Sequence, residues 1–363
     1  DFCLSRGLGD VYKRQVFSTW SAPAWMKSNG KVSNGRLKTE CYTDFANYLA
    51  AFYNAYKSKG IAPYAISPSN EPGYAAPWNS SLWTADEMGK FITSYLGPTF
   101  RKENIPAKII FGENPLWAVY MPQLKMVSSK DFTDTILQNY PEAKDFNLIA
   151  AGHGYSLSPD IMPIKVDKEY LKTAILPFEM AEKADIPVWI TEISDVNPLD
   201  ISIHDGLKWA VTFHNYLTKA NVNAIIWWGG AMPTSNNESL IILDKNRKDF
   251  LLSKRYDIFG NFSRYIPEES TRIQVTQSSG IPLLISAYKK DDEYTLVTIN
   301  SSKQTIQTSL RLDGANINGL LKQYITNEDN SWTEMAIVQE NKEYYNLTIP
   351  PYSVVTFVGK VRL

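Results

Sequence analysis

Two glutamates stand at matching places in this chain. Glu71 lies in AISPSNEPGY (65–74), just past an apolar run and between Pro68 and Pro72. Glu192 closes another apolar run in VWITEISD (188–195). Turns favour Gly, Asp, Asn and Ser, so neither glutamate has a turn-forming duty. If both runs are strands of one parallel sheet, both carboxylates face one mouth. A carboxylate pair in a cleft suits hydrolysis of a glycosidic bond. One group protonates the leaving oxygen while the other attacks the anomeric carbon or activates water. Either glutamate alone is as well explained as a surface or ion-paired residue. The neighbours strengthen the pair. Asn70 can hydrogen-bond a sugar hydroxyl, and Trp20, Trp189, Trp227 and Trp228 lie in or beside the apolar runs, where flat rings can stack on sugar faces.

The elements that must position these groups alternate short apolar runs with longer amphipathic ones. Strands are expected at 16–20, 62–67, 107–113, 147–155, 187–194 and 223–230. Helices are expected at 40–60, 84–100, 132–140, 167–184, 205–221 and 254–266, with Pro177 kinking the fourth. Phe45, Leu49, Phe52 and Tyr56 recur at helical spacing, and Thr84 with Glu87 forms a capping box. This is a repeated βα pattern with buried parallel strands. A closed (β/α)8 barrel needs eight strands, whereas an open doubly wound sheet is satisfied by six. No Gly-rich phosphate loop follows any strand, which argues against a nucleotide fold. Beyond PEES (267–270) the texture changes to short strands with turn residues between them, and an antiparallel β-sandwich is expected over 267–363.

Bulk properties exclude several classes. The chain has 363 residues, 44% hydrophobic and 21% charged, with a net charge of −1. That balance gives no reason to expect nucleic acid or an anionic membrane as partner. No apolar run reaches membrane-spanning length. Cys3 and Cys41 have no metal-ligand spacing, and the histidines are only His153, His204 and His214, so neither a metal site nor a cofactor is expected. Ten Trp and 21 Tyr are more ring surface than a core of this size requires, as suits a sugar-binding cleft. Residues 1–15 have no strand or helix period and no signal-peptide h-region. They are read as non-native, with Val16 as the first dependable residue.

Six motifs then bring a family into view: STWSAPAWMK (18–27), ISPSNEP (66–72), SLWTADEM (81–88), GHGY (152–155), VWITE (188–192) and IIWW (225–228). In this order they resemble glycoside hydrolase family 30, above all its bacterial endo-β-1,4-xylanases and glucuronoxylanases, over roughly 16–360. The resemblance implies a (β/α)8 catalytic barrel (16–266) with a β-sandwich side domain, and a retaining mechanism. It implies Glu71 as acid/base and Glu192 as nucleophile. Asn70 would bind the 2-hydroxyl of the sugar under attack. Trp20, Tyr155 and Trp228 would wall the subsite nearest the cleavage point, with Tyr74 bordering it, Trp227 beside it and His153 supporting the site. For Glu71 to be protonated at rest, repulsion from Glu192 and a less solvated pocket would have to raise its pKa. The implied protein is a secreted monomer acting on a polysaccharide or oligosaccharide.

Two departures from the family pattern matter. The family's barrel has two strands before STWSAPAW, the second bearing an active-site Arg, where this chain has only residues 1–15. A barrel lacking its first two strands is therefore expected, with poor stability and weak or no activity for the chain as given. Glucuronoxylanases also carry an Arg and a Tyr after the last barrel strand. Ungapped, those places hold Met232 and Thr234, and neither pairs bidentately with a carboxylate, so no obligate glucuronate recognition is expected. The rival substrates are β-1,6-glucan, β-1,6-galactan and glucosylceramide-type lipid. The rival class is a non-catalytic carbohydrate-binding protein, against which both glutamates speak.

Overall fold

The structure is a computed structural model that describes residues 14–118, 126–155, 175–244, 246, 248–313, 321–337 and 344–360. Most of segment 1–15 lies outside the described residues. The chain packs as two compact units, Asp1–Ile193 with Lys219–Ile226, and Ser194–Thr218 with Trp227–Leu363.

In the first unit six strands pair in parallel: β1 (Val16–Ser18), β2 (Ala65–Ser67), β3 (Lys108–Gly112), β4 (Leu148–His153), β5 (Val188–Glu192) and β6 (Ala224–Ile225). Their order in the sheet is their order in the chain. A doubly wound sheet reverses order partway along. This one does not, so the sheet is a curled α/β half-barrel. Every residue of β2 and β4 is buried, because a parallel sheet is covered on both faces. Ala65, Ile110, Ile149, Ala151 and Trp189 form one apolar cluster on it.

Between the strands run α1 (Tyr42–Lys57), α2 (Ala85–Phe91), α3 (Gly97–Lys102), α4 (Ser129–Asn139) and α5 (Glu179–Lys183). In α1 the buried side chains are Tyr42, Phe45, Ala46, Leu49, Ala50 and Tyr53, one face of a 3.6-residue period. Phe52 and Tyr56 lie off that face and pack on Phe17 of β1, with ring centroids 5.4 and 4.8 Å away. The capping box of α2 is present: Glu87 N–H donates to Thr84 Oγ1 (3.1 Å), and Thr84 N–H donates to Glu87 Oε2 (2.7 Å). A π turn, Ile92–Leu96, joins α2 to α3. Pro98 follows it, has no N–H to give to the previous turn and would crowd an α-helical carbonyl there. The expected helix 167–184 is corrected: its described part is α5 alone, and Pro177 stands before it, not within it. Residues 156–174 lie outside the described residues.

The second unit begins with α6 (Ile203–Lys219), whose last residue belongs to the first unit. It continues with a small sheet of β7 (Ala231–Met232), β8 (Ile241–Asp244) and β9 (Asp249–Leu252), and α7 (Lys254–Ser263). The expected strand 223–230 is shorter than forecast. It stops at Ile225, and Gly229 turns with φ +84°, handing its carbonyl to Leu240 N–H (3.0 Å). The antiparallel part holds β10 (Thr271–Ile273), β11 (Leu284–Lys290), β12 (Glu293–Asn300), β13 (Ile306–Leu310), β14 (Leu321–Thr326), β15 (Thr333–Ile337), β16 (Tyr345–Ile349) and β17 (Ser353–Lys360). Six of them form a sheet in the order β10-β11-β12-β17-β14-β15, and β13 pairs with β16. Leu321, Ile325, Val355 and Phe357 of the large sheet meet Tyr345, Leu347 and Ile349 of the ribbon in one core.

Candidate active site

Four strand ends of the first unit converge on one point. β2 runs into Glu71, β3 into Glu113, β4 ends in His153 and β5 in Glu192. In a parallel sheet the carboxyl ends of all strands open on the same rim, so a residue just past each strand is delivered to one place. A bulge between Gly152 and His153 shifts the register so that His153 pairs with Glu192.

His153 is fully buried and stands between the two glutamates. Its Nδ1 lies 3.2 Å from Glu71 Oε1 and 3.8 Å from Glu192 Oε1. One oxygen of Glu71, one of Glu192 and the imidazole nitrogen all lie within 4.8 Å of one another. Two carboxylates and an imidazole are also a donor set that divalent cations accept. The Tyr155 hydroxyl donates to Glu192 Oε1.

Burial alone would push the His153 imidazole down. The Glu192 carboxylate, the hydrogen bond to Glu71, the Glu71 charge and then Glu113 outweigh it and hold the ring above its ordinary value. Burial pushes Glu192 up, His153 and Tyr155 pull it back, and Glu71 and Glu113 add to the push. The net push on Glu192, the carboxyl at the end of β5, is upward.

The other expected residues fall in two places. Asn70 is buried, its N–H bonded to Thr19 O (2.8 Å). Tyr74 is half-buried and gives its N–H to Glu71 O (2.9 Å), with its ring 6.1 Å from Trp78. Trp20 is half-buried, two residues past β1. Trp227 and Trp228 belong to the second unit. Trp227 is buried edge-on against Trp209 (4.6 Å), so its ring packs as core, and its N–H goes to Glu238 O (3.0 Å). Trp228 gives its N–H to the Glu238 carboxylate (2.9 Å). Met232 and Thr234 are half-buried in the same unit.

Sequence reasoning did not single out Glu113, Asn114 or Ser18. Glu113 is 2% exposed and accepts from Ser18 Oγ (3.2 Å). Its signal was available, since it follows an apolar run just as Glu71 and Glu192 do.

A parallel sheet wound in chain order here carries carboxylates and an imidazole on its carboxyl rim, a set suited to hydrolysis of a glycosidic bond. The chain matches the model of O-glycosyl hydrolase family 30 over residues 5–242 and belongs to that family. It is similar to glucuronoxylanase XynC of Bacillus subtilis, 25% identical over 354 residues, covering 94% of this chain and 72% of that one. It is also similar to endo-1,6-β-D-glucanase of Neurospora crassa, 34% identical over 97 residues, covering 25% and 20%. Among solved structures it shares its fold with the subfamily 8 xylanase Xyn30A of Clostridium acetobutylicum. There the TM-score is 0.75 at 23% identity, over 95% of this chain and 80% of that one.

Proposed function

We propose that this chain is the catalytic part of a retaining, endo-acting glycoside hydrolase that cleaves β-1,4-xylan without requiring a glucuronate branch. Family membership supports a glycoside hydrolase. One observation carries the mechanism: Glu71, His153 and Glu192 offer atoms within 4.8 Å of one another. Retaining enzymes hold their carboxyl groups about 5–5.5 Å apart and inverting ones about 6.5–9.5 Å, and the close set here favours the retaining arrangement. Glu71 protonates the departing oxygen while Glu192 attacks the anomeric carbon. Glu71 then takes a proton from water, which releases the sugar from Glu192.

The charge bookkeeping explains the imidazole. Before attack the negative charge sits on Glu192; after it, Glu192 is an ester and the charge sits on Glu71. His153 lies 3.8 and 3.2 Å from the two, so a protonated ring faces the charge at both stages without moving. Asn70, Trp20, Tyr74 and Tyr155 would hold the sugar. The same proposal takes the sheet as an arc of a (β/α)8 barrel with a β-sandwich side domain. It places a monomeric enzyme outside the cell, since a polymer substrate does not cross a membrane. Met232 and Thr234 in place of an Arg and a Tyr support indifference to glucuronate.

The test is product analysis, with the full-length protein, on xylans with and without glucuronate branches, β-1,6-glucan and β-1,6-galactan. Xylan cleavage with a β-configured first product is expected, at similar rates on both xylans. Glu71→Gln should lower the rate by about 10²–10⁴, and Glu192→Gln should abolish it. Equal binding of xylan by wild type and Glu192→Gln, with cleavage by neither, would sink the enzymatic reading. The similarity to the Neurospora crassa glucanase supports β-1,6-glucan as the second substrate to try.

A further inference from the structure

Glu71 is held in an unusual way. Its φ is +47°, in the left-handed region that suits glycine and strains a residue with a side chain. Surrounding structure must impose such a conformation. The segment just past β3 supplies three restraints. Glu113 O accepts Glu71 N–H (3.1 Å), Asn114 Oδ1 accepts Gly73 N–H (2.7 Å), and Asn114 O accepts His153 N–H (3.0 Å). Asn114 thus grips the loop two residues beyond Glu71 with its side chain and the end of β4 with its backbone.

Two further facts set this amide apart from ordinary packing. Asn114 is completely buried, and its Nδ2 has no hydrogen-bond partner among the described residues. A buried amide left half-satisfied is costly, and Oδ1 is the half that is used. The fit is also tight from the other side: a Cβ on Gly73 would stand 2.6 Å from Asn114 Oδ1. The φ of Gly73 lies outside the left-handed region, so the backbone alone would accept alanine. What fills the space is the Asn114 amide.

We propose that Asn114 is a positioning residue that aims the Glu71 carboxyl and its His153 partner at the leaving-group oxygen, with Gly73 as the surface it bears on. The inference rests on Glu71 being the acid of the proposed reaction. A residue that aims an acid matters in proportion to how much the leaving group needs a proton.

The experiment compares aryl β-glycosides built on the disaccharide unit of the polysaccharide cleaved. One carries phenol, a poor leaving group, and the other dinitrophenol, which departs without protonation. Asn114→Ala should lose about tenfold to a hundredfold on the phenyl substrate, the scale of a misplaced catalytic group. It should lose far less in the glycosylation step on the dinitrophenyl one. Gly73→Ala should give the same pattern, and Gly73→Ala/Asn114→Ala should be no worse than either alone, because the two act through one contact. Should Asn114→Ala fail to fold by circular dichroism, Gly73→Ala carries the test. Equal losses on both substrates, or none, overturn the proposal. Glu71→Gln is the control. If it shows no leaving-group dependence, the acid assignment itself fails; if it does and Asn114→Ala does not, only the positioning role fails.

Discussion

Removing the Tyr155 hydroxyl should move the acid limb of the pH–rate profile, and the structure sets both sign and size. Glu192 must be ionised to attack. Burial pushes its pKa up, and the Tyr155 hydroxyl is one of the two groups that pull it down. Tyr155→Phe leaves the ring and removes the donor, so Glu192 should hold its proton to higher pH. A hydrogen bond to a charged group contributes about 1.5–3 kcal/mol, and about 1.4 kcal/mol corresponds to one pH unit. The acid limb of kcat/KM should therefore rise by about one to two pH units. Near the wild-type limb the variant should lose about tenfold or more, and at higher pH it should regain much of that loss. The assay is initial rate on a soluble substrate at low concentration across the stable pH range. A pH-independent loss would mean that Tyr155 only holds sugar. A limb that moves down would refute the electrostatic argument outright.

Other outcomes follow from the same packing. Thr84→Ala removes the side-chain half of the α2 capping box, the Oγ1 that accepts Glu87 N–H, and should cost about 1 kcal/mol in denaturant unfolding with activity unchanged. Gly112→Ala puts a Cβ 2.2 Å from Ala151 O at φ +103°. It should destabilise by about 1–3 kcal/mol or more, and lower activity through Glu113 and Asn114. Glu192→Gln should stabilise the fold at neutral pH. A folded pKa raised above the unfolded value means that stability is present below the unfolded pKa and lost as pH rises through the folded one. The advantage of the variant over wild type in thermal melting should thus appear above that window and vanish in acid. His153→Gln has the same pH sense but starts from a deficit. The raised imidazole contributes stability below its unfolded pKa, about 6.5, that is lost as pH rises through the folded value. Its stability deficit should therefore shrink toward alkaline pH.

Much of this was legible in the chain because it is local. Apolar runs marked the place of all six parallel strands, each strand being shorter than its run, and Thr84 with Glu87 marked a helix start that the structure keeps. Glu71, His153, Tyr155 and Glu192 are together because each sits at a strand end, a property of position in a run. What depends on pairing was not legible. Nothing in SVVTFVGK says that β17 inserts between β12 and β14. The strand THR-GLU-MET-ALA-ILE of β15 lacks the β-branched density that marks its neighbours, and the small sheet at 231–252 starts among Pro, Asn and Ser. Trp227 looked like a sugar platform because it is a Trp at a strand end; only its packing on Trp209 shows where the ring goes. Asn114 carried no chemical signature, since its work is done through a backbone N–H 41 residues away.

The winding of the sheet also has a consequence for assembly. Glu71, Glu113, His153 and Glu192 arrive one βα unit at a time, and His153 meets Glu71 across 82 residues of chain. Contacts of such long range form late, because loop-closure entropy must be overcome first. During synthesis from the N-terminus, the chain therefore lacks the Glu71–Glu192 pair until β5 has docked on β4. Catalytic competence then becomes a report on the whole arc of the sheet. Activity regained during refolding should lag behind helix signal, and a chain cut between β4 and β5 should refold helices without recovering turnover.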